Sequence, residues 1–157
     1  MVAIFQNVYG FTDSADVCKF GTFAIPLDHY AALFSSMTGV DLDAGGLVQI
    51  GERVYNLERY YNNLNGFREG SDTLPRRFLE EPGTGAASES VCELDEMLDE
   101  YYEARGWDNN GNPTREILSD LGMDFAADNL EEIGLLGKPS PRGIPAVRGE
   151  KYKPKAF

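Results

Sequence analysis

Histidine occurs once in the 157 residues, at His29, and cysteine only twice, at Cys18 and Cys92. Neither cysteine has a C-x-x-C partner, so no complete metal site of cysteine and histidine can be assembled from this chain. Two thiols this far apart also give no disulfide framework. Basic residues are scarce: 14 Lys and Arg against 26 Asp and Glu give a net charge of −12, which excludes nucleic acid as a partner for the body of the chain. No apolar run approaches the roughly 20 residues of a membrane span. The segment Met1-Val2-Ala3-Ile4-Phe5 lacks the basic start and small-residue cleavage site of a secretory signal. A cytoplasmic protein with no membrane partner is the expectation.

What is present is an ordinary globular composition, 42% hydrophobic, in a chain long enough to bury about two-thirds of its unfolded surface without staples. The charge is uneven. Residues 138–157 carry six Lys and Arg, one Glu and four Pro, and read as an extended basic arm; residues 1–137 read as one acidic domain. The acidic body suits a solvated surface coat, or attraction to a basic partner.

Apolar periodicity is helical almost throughout. Ile4, Phe5, Val8 and Tyr9 share one face of a first helix. Pro26 and Asp28 open a second over 27–38, with Tyr30, Leu33, Phe34 and Met37 on one side and Gly39 placed to end it. The strongest stripe is Leu47, Ile50, Val54, Leu57, Tyr61 and Leu64, over about 46–65, with Glu52, Arg53, Glu58 and Arg59 off it; it is expected to face the core. A short helix is expected between Leu74-Pro75 and Pro82. Ser90 and Glu93 fit a capping box for a helix over 93–105, its stripe being Leu94, Met97, Leu98, Tyr101 and Tyr102. Pro113 suits the first position of a helix over 113–121, and Phe125 to Leu136 adds a last amphipathic turn or two. Strand signals are nearly absent. The expected fold is mainly α, a compact helical domain of about five or six helices.

The densest candidate for chemistry is Asp13-Ser14-Ala15-Asp16-Val17-Cys18-Lys19-Phe20. A thiol beside Lys19 at the end of a turn-rich loop suits a soft metal or a lowered pKa. Equally, Cys18 reads as a small buried hydrophobe between Val17 and Phe20, with Asp13 and Asp16 capping turns. His29 lies off the stripe of its helix and reads as a surface residue. Asp108-Asn109-Asn110-Gly111-Asn112 has glycine and glutamate misplaced for a calcium loop and reads as a turn. Trp107 reads as packing over a helix end.

The Asp13–Cys18 segment resembles the D-x-x-G-L-C element in the C-terminal domain of tungsten-containing aldehyde:ferredoxin oxidoreductases. Three further stretches resemble that domain in the same order: residues 50–59, residues 72–77, and residues 93–102 followed by Arg105-Gly106-Trp107. Asp16 stands where the pattern has glycine and Val17 where it has leucine. The resemblance implies that Cys18 supplies one thiolate of a [4Fe–4S] cluster whose other three come from an upstream C-x-x-C-x-x-x-C run. It implies that Asp13 accepts hydrogen bonds from the pterin of a tungsten or molybdenum cofactor, with Lys19 offsetting the pterin phosphates. Cys92 falls outside that element and reads as structural.

The implied function is that of a C-terminal domain, or a separate subunit, of an oxidoreductase that converts aldehydes to carboxylic acids with ferredoxin as electron acceptor. Its partner would be an upstream pterin- and cluster-binding domain or subunit. One thiolate cannot hold four irons, so the chain alone is expected to be catalytically silent and free of cofactor. The apolar face of the first helix is expected to be covered by that partner or by self-association. The competing reading is an acidic helical binding module that keeps the fold without a redox role.

Overall fold

The computed structural model describes residues 1–68, 70–85 and 88–139. Among them are seven α-helices: α1 (Val2–Ser14), α2 (Leu27–Thr38), α3 (Ala44–Leu64), α4 (Arg76–Glu80), α5 (Leu94–Arg105), α6 (Arg115–Asp120) and α7 (Asp124–Glu132). A 3-10 turn, Lys19–Phe23, follows α1. The described residues form no strand, only isolated bridges between Trp107 and Pro113 and between Thr114 and Gly137. The mainly α expectation holds, with more helices than the five or six anticipated. Most of the basic arm lies outside the described residues.

Helix ends follow local chemistry, though not always the residues expected. Gly39 and Gly106 end α2 and α5 in the left-handed region, as glycine does without a Cβ penalty. The Asp43 carboxylate accepts from the Gly46 N–H at 2.7 Å and starts α3 two residues early. Ser90 does not cap α5, which begins at Leu94 after Glu93 with no side-chain capping bond. Nor does Pro113 open α6. Thr114 is the cap, accepting from the Ile117 N–H and donating to the Gly106 carbonyl at 2.9 Å. Pro113 is instead buried before the helix, paired with Trp107.

Two apolar cores lie along α3. One gathers Phe11 of α1, Tyr30 and Ala31 of α2, and Leu47 of α3. The other gathers Tyr102, Trp107, Ile117, Leu118, Leu121, Met123, Ala126, Ala127 and Leu130 from α5 to α7. Between them α3 inverts the expected pattern. Leu47 is fully buried, but Leu57, Tyr61 and Leu64 on the same stripe are exposed. The opposite stripe of Glu52, Asn56, Arg59 and Asn63 is buried instead. Leu33 and Met37 of α2 and Met97 of α5, also expected inside, are exposed as well.

The inversion has a polar cause. The buried stripe of α3 meets the turn after α5, whose backbone and side chains need partners once out of water. Asn56 accepts from the Trp107 indole N–H at 2.9 Å and donates to the Glu52 carbonyl. Arg59 Nε donates to the Gly111 carbonyl at 2.7 Å, and Asn63 donates to the Asn112 side-chain oxygen at 3.1 Å. Three or four residues separate successive members, so one helix face grips one turn. Trp107 is thus a core residue rather than a cover over a helix end. The turn closes on Asp108, which accepts from the N–H groups of Asn110 and Asn112.

Candidate functional site

Helix α1 delivers the candidate residues. Asp13 lies in its last turn, which is reinforced by the Thr12 hydroxyl on the Tyr9 carbonyl and the Ser14 hydroxyl on the Gly10 carbonyl. The chain then reverses. Asp16 takes φ +54°, the one positive φ among the described non-glycine residues, and the Val17 N–H returns to the Thr12 carbonyl at 2.9 Å. Aspartate tolerates this region better than most residues, so the turn survives where the resembling pattern carries glycine. The Cys18 carbonyl accepts from the Gly21 N–H and opens the 3-10 turn.

Cys18 is a free, exposed thiol, so the buried-hydrophobe reading of it is wrong. Lys19 Nζ lies 3.0 Å from the Asp13 carboxylate and 5.0 Å from the centre of the Tyr9 ring. Both ion partners are half exposed, so this pair contributes at most about 1 kcal/mol and opens easily. Phe20, Phe23 and Ile25 stand exposed beside it. Asp13, Cys18 and Lys19 therefore share one surface turn. Among the described residues no three His, Cys, Asp or Glu side chains gather to hold a metal. Cys92 is half-buried, its Sγ 3.8 Å from Met97 Sδ, and His29 is exposed.

A second polar assembly escaped the sequence reading. A cleft of about 280 Å³ is lined by residues that include Tyr55, Arg59, Asp72, Tyr102 and Trp107. Arg59 is buried there, its guanidinium 5.0 Å from the Trp107 ring centre and 5.9 Å from that of Tyr102. Its Nη1 donates to Asp72 Oδ1 at 3.0 Å, while Nη2 lies 2.7 Å from Oδ2 as an ion contact without hydrogen-bond alignment. The Tyr102 hydroxyl donates to Asp72 Oδ2 at 2.6 Å. Burial raises the Asp72 pKa, but the hydrogen bonds from Arg59 and Tyr102 outweigh it and hold the carboxyl below its usual range. Burial, then the bond to Asp72, pushes the Tyr102 hydroxyl far above its ordinary value. The signal that could have revealed Arg59 is its step in the series 52, 56, 59, 63; nothing in the sequence pairs it with Asp72.

Residues 1–123, which include both assemblies, match the family model described as aldehyde ferredoxin oxidoreductase, domains 2 and 3. The chain belongs to this family. A tungsten-containing aldehyde ferredoxin oxidoreductase of Pyrococcus horikoshii is 39% identical over 128 residues, covering 79% of this chain and 21% of the relative. That of Pyrococcus furiosus is 39% identical over 125 residues, 78% of this chain and 21% of the relative. A more distant likeness, 26% over 137 residues (82% of this chain and 22% of the relative), is to the WOR-like subunit of an aliphatic sulfonate oxidoreductase from Pyrococcus furiosus. Among solved structures, the active-site complex BamBC of benzoyl coenzyme A reductase aligns with TM-score 0.58 and 28% identity, over 71% of this chain and 16% of that one. The chain spans about a fifth of the length of the curated relatives it matches. Helix α7 lies beyond the family match, yet its Ala126, Ala127 and Leu130 are fully buried in the same core as α5 and α6. Among the described residues no helix is long and apolar enough to cross a membrane.

Proposed function

We propose that this chain serves as the C-terminal domain, or a separate subunit, of a tungsten- or molybdenum-pterin oxidoreductase that oxidises aldehydes to carboxylic acids with ferredoxin as acceptor. One observation carries the reading: in a member of this family, Asp13, Cys18 and Lys19 stand together on an exposed turn closed by Asp16. The donor chemistry fits a shared site. An exposed, unbridged thiol suits one corner of a [4Fe–4S] cluster. A carboxylate whose ion partner among the described residues is a solvated lysine can accept from pterin N–H groups, releasing Lys19 toward the phosphates. When bound, the pterin metal supplies the redox chemistry and the cluster relays electrons; Asp13, Lys19 and Cys18 hold and orient these groups. The exposed Ile4, Phe5, Leu57 and Tyr61 support a surface covered by the pterin-binding domain or subunit.

The test is assembly of the chain with the pterin- and cluster-binding remainder of its enzyme. Cys18→Ala is expected to abolish the cluster's absorbance and electron paramagnetic resonance. Asp13→Ala is expected to weaken pterin retention and leave the iron in place. Both positions are exposed, so each substitution should change stability by less than about 1 kcal/mol, and loss of cofactor cannot be assigned to unfolding. An iron content indifferent to Cys18→Ala would replace this reading with that of a binding module without a redox role.

A further inference from the structure

We infer that Arg105 is the positioning residue for the Cys18 turn, setting the rotation and axial register of α1; the inference rests on the cluster-ligand reading above. Arg105 is the last residue of α5 and is only 1% exposed. Among the described residues no carboxylate lies within ion-pair distance of it. Its charge is met by the negative end of its own helix, by neutral oxygens, and by the rings of Tyr55 and Tyr101 at 4.8 and 5.3 Å.

Most of those oxygens belong to α1. Nη1 donates to the Asn7 side-chain oxygen, and Nη2 donates to the Gln6 side-chain oxygen and, at 3.4 Å, to the Ala3 carbonyl. Nε donates to the Tyr101 hydroxyl, which itself donates to Gln6. Residues 3, 6 and 7 are spaced by three and four, so the planar fork engages one face of α1 at three points.

The other attachments of α1 are less directional. Phe11 is packed in an apolar core, and Gly10 and Asn7 cross Gly51 at backbone contact. The glycine crossing sets how closely α1 approaches α3, and the guanidinium fork adds directional bonds to three points on one face of α1. The Cys18 turn is tied to the far end of the same helix by the Val17–Thr12 backbone bond. Asp13 lies about 9 Å along the axis from Asn7. A change in register at Arg105 is therefore delivered to the thiol and the carboxylate together.

The decisive comparison uses the iron-loaded assembly of this chain with the remainder of its enzyme. Arg105→Lys keeps the charge and removes the fork. It is expected to lose at least half of the cluster iron and to shift the resonance spectrum of what remains. Gln6→Ala, which removes one acceptor, should move both readouts in the same direction by less. Leu130→Ala, in the other core, should lower the melting temperature comparably while keeping the parent iron content and spectrum. A folded Arg105→Lys assembly with the parent iron content and spectrum overturns the inference, as does a Leu130→Ala variant that loses iron equally. Where Arg105→Lys does not assemble, Gln6→Ala decides by the same readouts. Cys18→Ala run alongside separates the two claims: iron retained there sinks the ligand reading itself, whereas iron lost there but kept in Arg105→Lys and Gln6→Ala sinks only the role of Arg105.

Discussion

Gly51→Ala is expected to cost about 3–5 kcal/mol of folding stability, a large share of what a domain this size holds. A Cβ at position 51 would sit 1.6 Å from the Asn7 carbonyl oxygen and 2.6 Å from its carbon. Both belong to the backbone of α1, so no side chain can rotate away, and the two helices must separate. Separation opens the core of Phe11, Tyr30 and Leu47 and strains the Arg105 fork on residues 3, 6 and 7. Urea unfolding measures the effect as a lower midpoint at unchanged slope. Gly45→Ala is the control. It lies exposed in the first turn of the same helix, where its Cβ would approach only the Asp43 side chain, at 3.3 Å. Alanine is the better helix former there, so a change within about 1 kcal/mol is expected. Equal losses at the two positions would remove the close crossing as the cause.

That crossing shows what periodicity can and cannot report. The helices over 27–38 and about 46–65 and 93–105 were legible because their apolar repeats and closing glycines are local signals. The turn at Asp16 was legible because a residue tolerant of positive φ stands where that geometry is needed. The direction in which α3 faces was not. An apolar stripe predicts burial only if the other face meets water, and here the other face meets the Trp107–Asn112 turn, whose carbonyls and indole N–H select Asn56, Arg59 and Asn63. The same limit hid the true caps: Asp43 lies three positions before the expected start of α3 at about 46, and Thr114 one position after Pro113. At the Cys18 turn, the residues proposed to touch cofactor lie within seven positions, so a local segment was enough to single them out. The residue that positions them, Arg105, comes from nearly a hundred positions away, and only the folded chain brings it there.

Asp72 gives the other large expected effect, and its sign can be worked through. Its carboxylate accepts from Arg59 and Tyr102 and holds the loop before α4 against α3 and α5. Because its folded-state pKa lies below the ordinary value, its contribution is fully present above the unfolded-state pKa of about 3.9. It is lost as pH falls through the folded value, where Asp72 takes up a proton and the buried Arg59 loses its counter-charge. Asp72→Asn removes that charge at every pH. For a fully buried pair this would cost about 3–5 kcal/mol, but the Asp72 side chain is 32% exposed, so solvent screening reduces the expectation to about 2–3 kcal/mol. Tyr102 stays protonated throughout, since its hydroxyl is raised rather than lowered. Urea midpoints at pH 7, 5 and 3 should therefore show the variant well below the parent at neutral pH, with the gap narrowing only on the acid side of the ordinary carboxylate range. Parallel curves from pH 7 to 3 would mean that Asp72 titrates alike in folded and unfolded chains. Arg59 would then owe its place to Gly111, Trp107 and Tyr102 alone.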